Sequence, residues 1–423
     1  MENAKLSKTS EPNLVAADEK HSRHAIIALS IAAVFFLFEF VTRVSPSTAT
    51  ETISADLGLS RAGLGVFSSL FFWIYAPMQI VVGLLLDRYG ARRFVVPAIA
   101  LCAGGMMLIG VAPSAFVAAL GRILTGFGAS FAFVGALYVV NHWFAPKRFA
   151  LLSGLVNAVG MLGTAVGVIW LTSLVQSAGW RPSFIGIGVF GLALFVLALF
   201  AFRDAPSAGD SATHPSPIGP LKQVIKSPQV WLVACVGALV YMPINVYGGL
   251  WGNEELTADH GLSSVAAETA VSMVFWGMAL GSVLWGAVSD ALGHRKWIVF
   301  GCAILAILAW SVVIFLPLTQ LWIVSVLLFL GGLFCGGQML TFAMAKEGQD
   351  QSTVGTVTAF VNMIGIGAAL VFQPLVGVLL DLTGNDHALA LSVVPLCLVL
   401  AAGLTVVLRE PDQPHLRAKR RAK

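Results

Sequence analysis

The sequence predicts an all-α membrane protein in which twelve transmembrane helices form two six-helix repeats around a central cavity, with both termini in the cytoplasm. Three observations support this fold class: the composition, the length of the apolar runs and an internal repeat. Of the 423 residues, 57% are hydrophobic and 11% are charged, and the mean hydropathy is +0.86. A soluble domain carries about 25% charged residues, so this chain has too few polar side chains to cover a soluble surface.

The apolar runs have the length of helices that cross a bilayer. A spanning helix needs about 20 mostly apolar residues, and these runs are too long and continuous for the strands of a barrel. The polar N-terminus leads into the first run without a clear cleavage site, which indicates an uncleaved first span. Breaks at charged and turn residues give twelve predicted helices, numbered in chain order as 25–47, 62–86, 94–111, 115–142, 150–175, 183–202, 229–252, 267–288, 297–316, 321–345, 354–380 and 388–408.

The distribution of basic residues predicts that both termini are cytoplasmic. Short cytoplasmic loops of membrane proteins are enriched in Lys and Arg. With both termini inside, all but four of the 25 Lys and Arg residues lie in cytoplasmic segments. The exceptions are Arg43 and Arg122 within predicted helices, and Arg61 and Arg181 in outside loops. We therefore expect a multi-pass protein of a bacterial cytoplasmic membrane.

A stretch rich in proline, serine and glycine divides the chain into two halves. It runs from Arg203 to about Ser227, and this composition is typical of a linker. The predicted segments are a cytoplasmic N-terminal tail (1–24), a first six-helix bundle (25–202), a central linker (203–228), a second six-helix bundle (229–408) and a basic cytoplasmic tail (409–423).

The two halves contain an internal repeat. Helix 2 is followed by GLLLDRYGARR (83–93) and helix 8 by GAVSDALGHRK (286–296), and the aspartates of these segments are 203 residues apart. Helix 5 contains VNAVG and helix 11 contains VNMIG, with Asn157 and Asn362 separated by 205 residues. Two matches at nearly the same offset indicate a duplication of a six-helix unit.

The segment after helix 2 is similar to the signature loop of the major facilitator superfamily, G-x-x-x-D-R-x-G-x-R-R. The GRILTGFG segment of helix 4 also resembles a motif of this family, and the likeness covers about residues 25–408. The resemblance implies a loop that stabilises an outward-open state through contacts with helix 11. A solvated basic loop would explain the arginines but not the Gly-Asp-Gly spacing. The implied gating residues are Gly83, Asp87, Arg88, Gly90 and Arg92, with Gly286, Asp290, Gly293 and Arg295 in the repeat.

Glu39 and Arg43 of helix 1 are the strongest candidates for a functional site. They are four residues apart, which places them on one face of a helix. A charged group within a span costs about 2.5–3.5 kcal/mol on insertion scales, so such groups usually face a cavity with a partner. The guanidinium of Arg43 suits a carboxylate, and Glu39 is a candidate proton carrier. The alternative is an arginine at the membrane interface with Glu39 as its local partner.

The arginine segment of helix 1 also resembles that of the anion:cation symporter branch of the family. It departs from that branch in helix 4, where 128–131 read Gly-Ala-Ser-Phe and lack the expected acid. Arg122 of helix 4 matches a family arginine linked to proton movement. A purely structural pairing of Arg122 is the alternative.

Polar side chains of several other helices are predicted to line the cavity. Pro243 and three glycines in helix 7 permit a broken helix, and broken helices occur at transport sites. Amides within spans need hydrogen-bond partners, and the alternative for each is a bond to a neighbouring helix. The predicted substrate-binding residues besides Arg43 are Asn157, Tyr241, Asn245, Trp251, Gln338, Asn362 and Gln373.

The favoured function is secondary active transport by alternating access, with proton-coupled symport of a small organic anion such as a carboxylate. The alternative is an exporter of amphipathic compounds or metabolites by proton antiport. No HExxH, GxSxG or phosphate-binding loop occurs, so neither enzyme activity nor ATP use is expected. We expect no cofactor, metal or nucleic acid. The expected partners of a monomeric protein are the substrate, protons and the lipid bilayer.

Overall fold

The computed structural model describes residues 11–144, 149–205, 218–347, 349 and 351–410. Within them, twelve helices are long and apolar enough to cross a membrane, as the sequence predicts. Their spanning portions are α1 (Arg23–Leu57), α2 (Arg61–Leu86), α3 (Arg92–Val111), α4 (Ala115–Trp143), α5 (Val159–Ala178), α6 (Trp180–Ala201), α7 (Pro228–Ala258), α8 (Ser264–Leu292), α9 (Lys296–Phe315), α10 (Leu321–Lys346), α11 (Gly355–Thr383) and α12 (His387–Val407).

Helix α1 is about ten residues longer than the sequence predicts. Its α-helical part ends at Val44, and a 3-10 turn, Ser45–Ala49, leads into a second α-helical part, Thr50–Leu57. Pro46 lies in the first turn of the 3-10 segment, where its missing N–H is tolerated. The helix ends instead at Gly58, whose φ is +63°, the left-handed conformation typical of a helix C-terminus.

Helix α7 is irregular, as its glycines predict. It consists of an α-helix, Pro228–Val246, a π-helical turn, Tyr247–Trp251, and a short α-helix, Gly252–Ala258. The predicted end of this helix at residue 252 is therefore too early. Because π-helical turns interrupt the regular hydrogen-bond ladder, they are frequent at functional sites.

Helix capping repeats between the two halves, α1–α6 and α7–α12. Ser60 accepts a hydrogen bond from the backbone at the start of α2, and Ser263 does the same at the start of α8. Asp204, after α6, accepts backbone N–H bonds from the start of α3. Glu410, after α12, accepts them at the start of α9. Such caps satisfy the free N–H groups of a helix start, and their recurrence supports the duplication seen in the sequence.

The halves contact each other mainly through α2 with α11 and α5 with α8. We call the end of the bundle where α1 and α7 end and α2 begins the distal end. There α2 and α11 touch backbone to backbone: a Cβ at Gly65 would collide with the main chain of Gln373, and one at Gly377 with that of Arg61. Small residues allow this close approach of membrane helices. The distal end is therefore closed between α2 and α11.

Part of the predicted linker is helical. Ile218–Lys226 forms a short helix that lies against the beginning of α11, where Thr353 hydrogen-bonds Gln223 at 3.4 Å. Residues 206–217 lie outside the described part of the structure. The predicted segment boundaries stay a prediction.

Candidate functional site

Glu39 and Arg43 form a buried ion pair in the interior of α1. Glu39 is 0% exposed and Arg43 is 5% exposed. The Nε of Arg43 donates to Oε1 of Glu39 at 2.8 Å, and Nη2 donates to the same oxygen. Helix α1 continues beyond Arg43 to Leu57, about 20 Å at 1.5 Å per residue. The pair thus lies 14 residues before the end of α1, and the choice between a cavity-facing and an interfacial arginine stays a prediction.

Aromatic rings surround the guanidinium of Arg43. Its central carbon lies 4.4 Å from the centroid of Phe40 and 4.8 Å from that of Tyr75, distances that suit cation–π contact. Tyr241 of α7, in the second half, lies within electrostatic range of the same guanidinium. Oε2 of Glu39 is buried and has no hydrogen-bond partner among the described residues. The arrangement can hold an anion at the arginine or a proton at the glutamate.

Arg122 braces the backbone of α1 beside this pair. It is fully buried in α4 and donates to the carbonyl oxygens of Thr42 at 2.8 Å, Arg43 at 3.0 Å and Ser68 at 2.9 Å. In an α-helix the carbonyl of Thr42 would accept from residue 46, but Pro46 has no N–H. Arg122 and the hydroxyl of Ser45, at 3.0 Å, donate to this carbonyl instead. No carboxylate among the described residues forms an ion pair with Arg122, and its predicted role in proton coupling stays a prediction.

Three of the predicted cavity residues form a hydrogen-bonded chain between α7 and α11. Nε1 of Trp251 donates to the carbonyl of Gln373 at 3.1 Å. Nε2 of Gln373 donates to the carbonyl of Asn245 at 2.9 Å. All three side chains are buried. These contacts fit the alternative that such groups bond a neighbouring helix, since they link the π-helical turn of α7 to α11.

The remaining predicted cavity residues lie in different surroundings. Nδ2 of Asn362 in α11 lies 3.5 Å from Oε1 of Gln79 in α2, so this pair bridges the two halves. Gln79 was not predicted from the sequence. Gln338 is buried in a 3-10 turn of α10. The side chain of Asn157 lies outside the described part of the structure.

The implied gating glycines differ in their surroundings, and their gating role stays a prediction. A Cβ added at Gly83, or at Gly286 in the repeat, would meet no atom within 4 Å, so neither glycine mediates a close helix approach. Gly90 and Gly293 instead follow the ends of α2 and α8 with φ of +83° and +73°. Such angles favour glycine because other residues are strained there. The side chain of Asp87 lies outside the described part.

The basic residues of these loops contact neighbours within their own half. Nη2 of Arg92 donates to the carbonyl of Leu199 at 3.0 Å, and Arg88 lies 5.2 Å from the ring of Tyr89. Arg295 forms an ion pair with Glu347 at 2.6 Å, and its distance to Asp290 is 3.9 Å. The predicted gating contacts with α11 belong to an outward-open state and stay a prediction.

Sequence reasoning missed an ionic network at the distal end. Arg61 of α2 pairs with Glu254 of α7 at 3.1 Å, and His387 of α12 lies 3.6 Å from the same carboxylate. Glu255 accepts hydrogen bonds from Tyr247 at 2.7 Å and from His260 at 2.9 Å. The sequence offered one signal for this network, the adjacent residues Glu254 and Glu255. They belong to helix 7 when that helix is extended by two turns beyond residue 252, to Ala258.

His260 lies in the loop after α7. Burial and hydrogen bonding shift its pKa in opposite directions. Burial alone would lower its pKa. The hydrogen bond and charge of Glu255, together with the carbonyl of Leu318, outweigh burial and raise the pKa above its usual value. Both ring nitrogens face acceptors, so only the doubly protonated ring satisfies both of them.

Twelve membrane-spanning helices, two repeats of six and buried ionic groups on a central helix define a multi-pass membrane protein of the transporter class. The sequence model of the Major Facilitator Superfamily matches residues 29–255 and 233–423. The chain belongs to the major facilitator superfamily, a family of transporters and not of enzymes. The family, the twelve-helix fold class and the multi-pass membrane location that the sequence predicts are thereby confirmed. The cytoplasmic orientation of the termini stays a prediction.

Known proteins similar to this chain have more than one role. The "Probable sulfoacetate transporter SauU" of Cupriavidus necator is 25% identical over 319 residues, 70% of this chain and 73% of that protein. The membrane sensor protein UhpC of Salmonella typhimurium is 27% identical over 387 residues, 84% and 85% of the two chains. A bacterial homologue of the human lysosomal transporter Spinster, solved in an inward-facing, occupied conformation, shares the fold. Its TM-score is 0.72 at 16% identity, and the match covers 90% of this chain and 96% of that one.

Proposed function

We propose that this protein is a proton-coupled symporter of a small organic anion, with Arg43 as the anion-binding residue and Glu39 as the proton-binding residue. The observation that carries the proposal is the buried Glu39–Arg43 pair among aromatic rings. A buried charge is expensive unless it is paired, so a cation kept deep in the first helix points to an anionic ligand. Sulfoacetate, the substrate in the name of one relative, belongs to this chemical class.

We infer that proton binding and anion binding are coupled because Glu39 and the substrate compete for the guanidinium of Arg43. In this structure Glu39 occupies two donors of Arg43. A carboxylate substrate would compete for the same donors, because guanidinium binds carboxylates in a bidentate fashion. If Glu39 takes up a proton, it no longer competes as an anion and Arg43 is released for the substrate. The free Oε2 of Glu39 is the atom that would hold the proton.

The positions of other groups agree with a binding site at this depth. Tyr241 approaches Arg43 from the second half, so a ligand at the arginine would touch both halves. Alternating access needs such a site, since the two halves move around a substrate that both contact. We place the termini in the cytoplasm because of the basic loops, and we propose a monomer as the working unit.

An exporter of amphipathic compounds is the second candidate. It is favoured by an apolar groove of about 650 Å³ between α2, α7, α11 and α12, lined by residues such as Trp73, Leu239 and Phe372. A groove of this kind would accept a hydrocarbon ligand. The buried arginine would then have no direct role in substrate binding.

Uptake into proteoliposomes tests the proposal. Labelled sulfoacetate and a series of small carboxylates are offered with and without an inward proton gradient. We expect proton-stimulated uptake of at least one anion. Arg43→Ala should reduce it about 30-fold or more, because truncating one partner of a buried charge pair costs about 2–5 kcal/mol and about 1.4 kcal/mol is a factor of ten.

Two further variants separate binding from coupling. Glu39→Gln should leave anion exchange intact but remove stimulation by the proton gradient. Arg203→Gln is the matched control, because Arg203 is exposed and lies far from Arg43 in the chain; it should transport normally. Uptake that survives Arg43→Ala would exclude Arg43 as the anion site, and efflux of amphipathic dyes by the same liposomes would favour the exporter.

A further inference from the structure

The short helix of the linker, Ile218–Lys226, carries two lysines on its outer face. Val224 is 1% exposed and packs into the core, whereas Lys222 and Lys226 are exposed. Because one residue turns an α-helix by about 100°, both lysines lie about 160° away from Val224. No carboxylate among the described residues forms a salt bridge with either lysine. We call this element the linker helix, and its outer face presents two positive charges to its surroundings.

The linker helix is tied to the start of α7, where a third basic residue lies. Nε1 of Trp231 donates to the carbonyl of Ile225 at 2.9 Å. Gln229 exchanges two hydrogen bonds with the main chain of Arg409, at 3.1 and 3.5 Å. Arg409 follows α12 and is exposed. Three exposed cations therefore lie around the beginning of α7. This basic cluster consists of Lys222, Lys226 and Arg409.

An apolar groove begins about one helical turn beyond the basic cluster. Trp231 packs edge-on against Phe360 of α11, with 4.8 Å between the ring centroids. One turn further along each helix, Cys235 of α7 and Ile364 of α11 line the groove of about 650 Å³, which α2 and α12 complete. Tryptophan is enriched at the headgroup level of a bilayer, and Trp231 is 40% exposed. The groove thus starts just inside a headgroup layer.

The groove has the depth and the opening that a lipid chain needs. Leu239 lines it and follows Trp231 by eight residues, about 12 Å along the helix at 1.5 Å per residue. One leaflet of the hydrocarbon core is about 15 Å thick. Trp73 of α2 also lines the groove and is 57% exposed, so the groove is open towards the bilayer. A hydrocarbon chain can therefore enter it from the surrounding lipid.

We propose that the basic cluster and the groove together bind one anionic phospholipid, with the phosphate at the cluster and an acyl chain in the groove. Each Lys or Arg beside a membrane surface strengthens binding to anionic lipid about fivefold, which corresponds to about 1 kcal/mol. A zwitterionic headgroup gains less, because its own cation is repelled by the cluster. Since α2 belongs to the first half and the other three helices to the second, the lipid contacts both halves.

The first half offers a matched comparison for the basic cluster. Arg203 follows α6 as Arg409 follows α12, and the next residue in each case, Asp204 or Glu410, caps a neighbouring helix. Arg203 is exposed, like Arg409. The linker helix, however, packs on α7 and α11 of the second half. Arg203 is therefore an exposed arginine at the same place in the repeat but outside the proposed site.

Native mass spectrometry of the full-length protein can count and rank bound lipids. Phosphatidylglycerol and phosphatidylcholine with the same acyl chains are titrated separately, and the apparent Kd of the first bound lipid is recorded. We expect phosphatidylglycerol to bind about 25-fold more tightly, since each of the two lysines contributes about fivefold. Changing Lys222→Gln and Lys226→Gln together should remove most of this difference by weakening phosphatidylglycerol alone. Arg203→Gln should change neither Kd.

Photo-crosslinking locates the bound lipid. Phosphatidylglycerol with a diazirine on one acyl chain should label the residues of α7 and α11 that line the groove, as identified by peptide mass spectrometry. Gly367→Leu tests the chain-binding part of the site. A Cβ at this position meets only Leu370 among the described residues, at 3.7 Å, so a leucine fits into the groove. This variant should lose the labelling and bind both lipids less tightly.

Equal Kd values of the two lipids, or a preference that survives the double lysine variant, would overturn the proposal. An equal weakening by Arg203→Gln would do the same, because it would show a general attraction of basic residues. Displacement of the lipid by soluble glycerol phosphate would assign the cluster to a free phosphate compound and contradict a lipid site.

Labelling of the groove that does not depend on headgroup charge would mark a site for any hydrocarbon ligand, as the exporter requires, and would also contradict the proposal. Neither Glu39 nor Arg43 takes part in this site. The lipid measurements are therefore independent of the uptake assay, and either proposal can fail without the other.

Discussion

The two halves hold buried charge in different ways. In the first half, Glu39 and Arg43 are paired within one turn of one helix and enclosed by aromatic rings. In the second half, Glu254, Glu255 and their partners join several helices, and one of the contacts reaches into the first half. A pair within one helix keeps its geometry when the halves move, whereas a contact between halves cannot. The first arrangement suits ligand binding, and the second suits sensing of the conformational state.

The largest effect is expected from removing Arg122, which holds the backbone of α1 beside the Glu39–Arg43 pair. This substitution tests whether the pair keeps its geometry by itself. Arg122→Gln deletes most of the donors that hold the backbone carbonyls of Thr42, Arg43 and Ser68. We expect a loss of stability of about 1–3 kcal/mol for each buried carbonyl oxygen that is left without its donor, and a lower midpoint of thermal unfolding in detergent. Arg203→Gln should unfold like the wild type. Equal midpoints for Arg122→Gln and the wild type would show that α1 keeps its shape without the brace.

A smaller effect should follow from separating the backbones at the distal end. Gly65→Ala places a methyl group against the main chain of Gln373, and such overpacking costs about 1–3 kcal/mol. With spin labels on cysteines introduced at the exposed positions Ala55, near the end of α1, and Ala258, at the end of α7, we expect the distance between the labels to increase. Gly104→Ala is the control, because a Cβ there meets no atom within 4 Å. A closed distribution in Gly65→Ala would mean that the contact between α2 and α11 adjusts easily.

The smallest effect concerns His260, which lies in the second network but not between the halves. Its pKa is raised in the folded protein, so its stabilising contribution is full below the ordinary histidine pKa of about 6.5. That contribution is lost as the pH rises through the raised folded value. His260→Gln should therefore destabilise the protein by about 1 kcal/mol at low pH and by less at high pH. The difference in unfolding midpoint, measured at both ends of this range, checks the sign; a larger loss at high pH would contradict it.

Patterns among neighbouring residues predicted the number of helices and the Glu39–Arg43 pair, but not the contacts between distant parts of the chain. The number of helices follows from apolar runs, and the Glu39–Arg43 pair follows from a spacing of four residues, since both are properties of neighbouring residues. The end of α1 was placed about ten residues too early, within the 3-10 turn that contains Pro46. The helix continues through this turn, since Ser45 and Arg122, the latter some 80 residues away in sequence, supply donors in place of the N–H that the proline lacks.

The distal network was missed for the same physical reason. Helix 7 was predicted to end at residue 252, because Glu254 and Glu255 look like the beginning of a loop. They are buried because their partners come from elsewhere, above all Arg61 in the other half. From sequence alone, a charged residue is predicted to be exposed unless a partner for it is known. The partner of Glu254 is Arg61, almost two hundred residues away in sequence, and no local pattern identifies it.

The contact of α2 and α11 also limits what can leak through the protein. At Gly65 and Gly377 the two main chains touch without intervening side chains, so no file of water molecules can pass between them. Protons move along such files, and each elementary charge that crosses a membrane at 100 mV dissipates about 2.3 kcal/mol. The two glycines thus prevent water and protons from leaking between α2 and α11. A single methyl group added at either position would push the helices apart and weaken this seal.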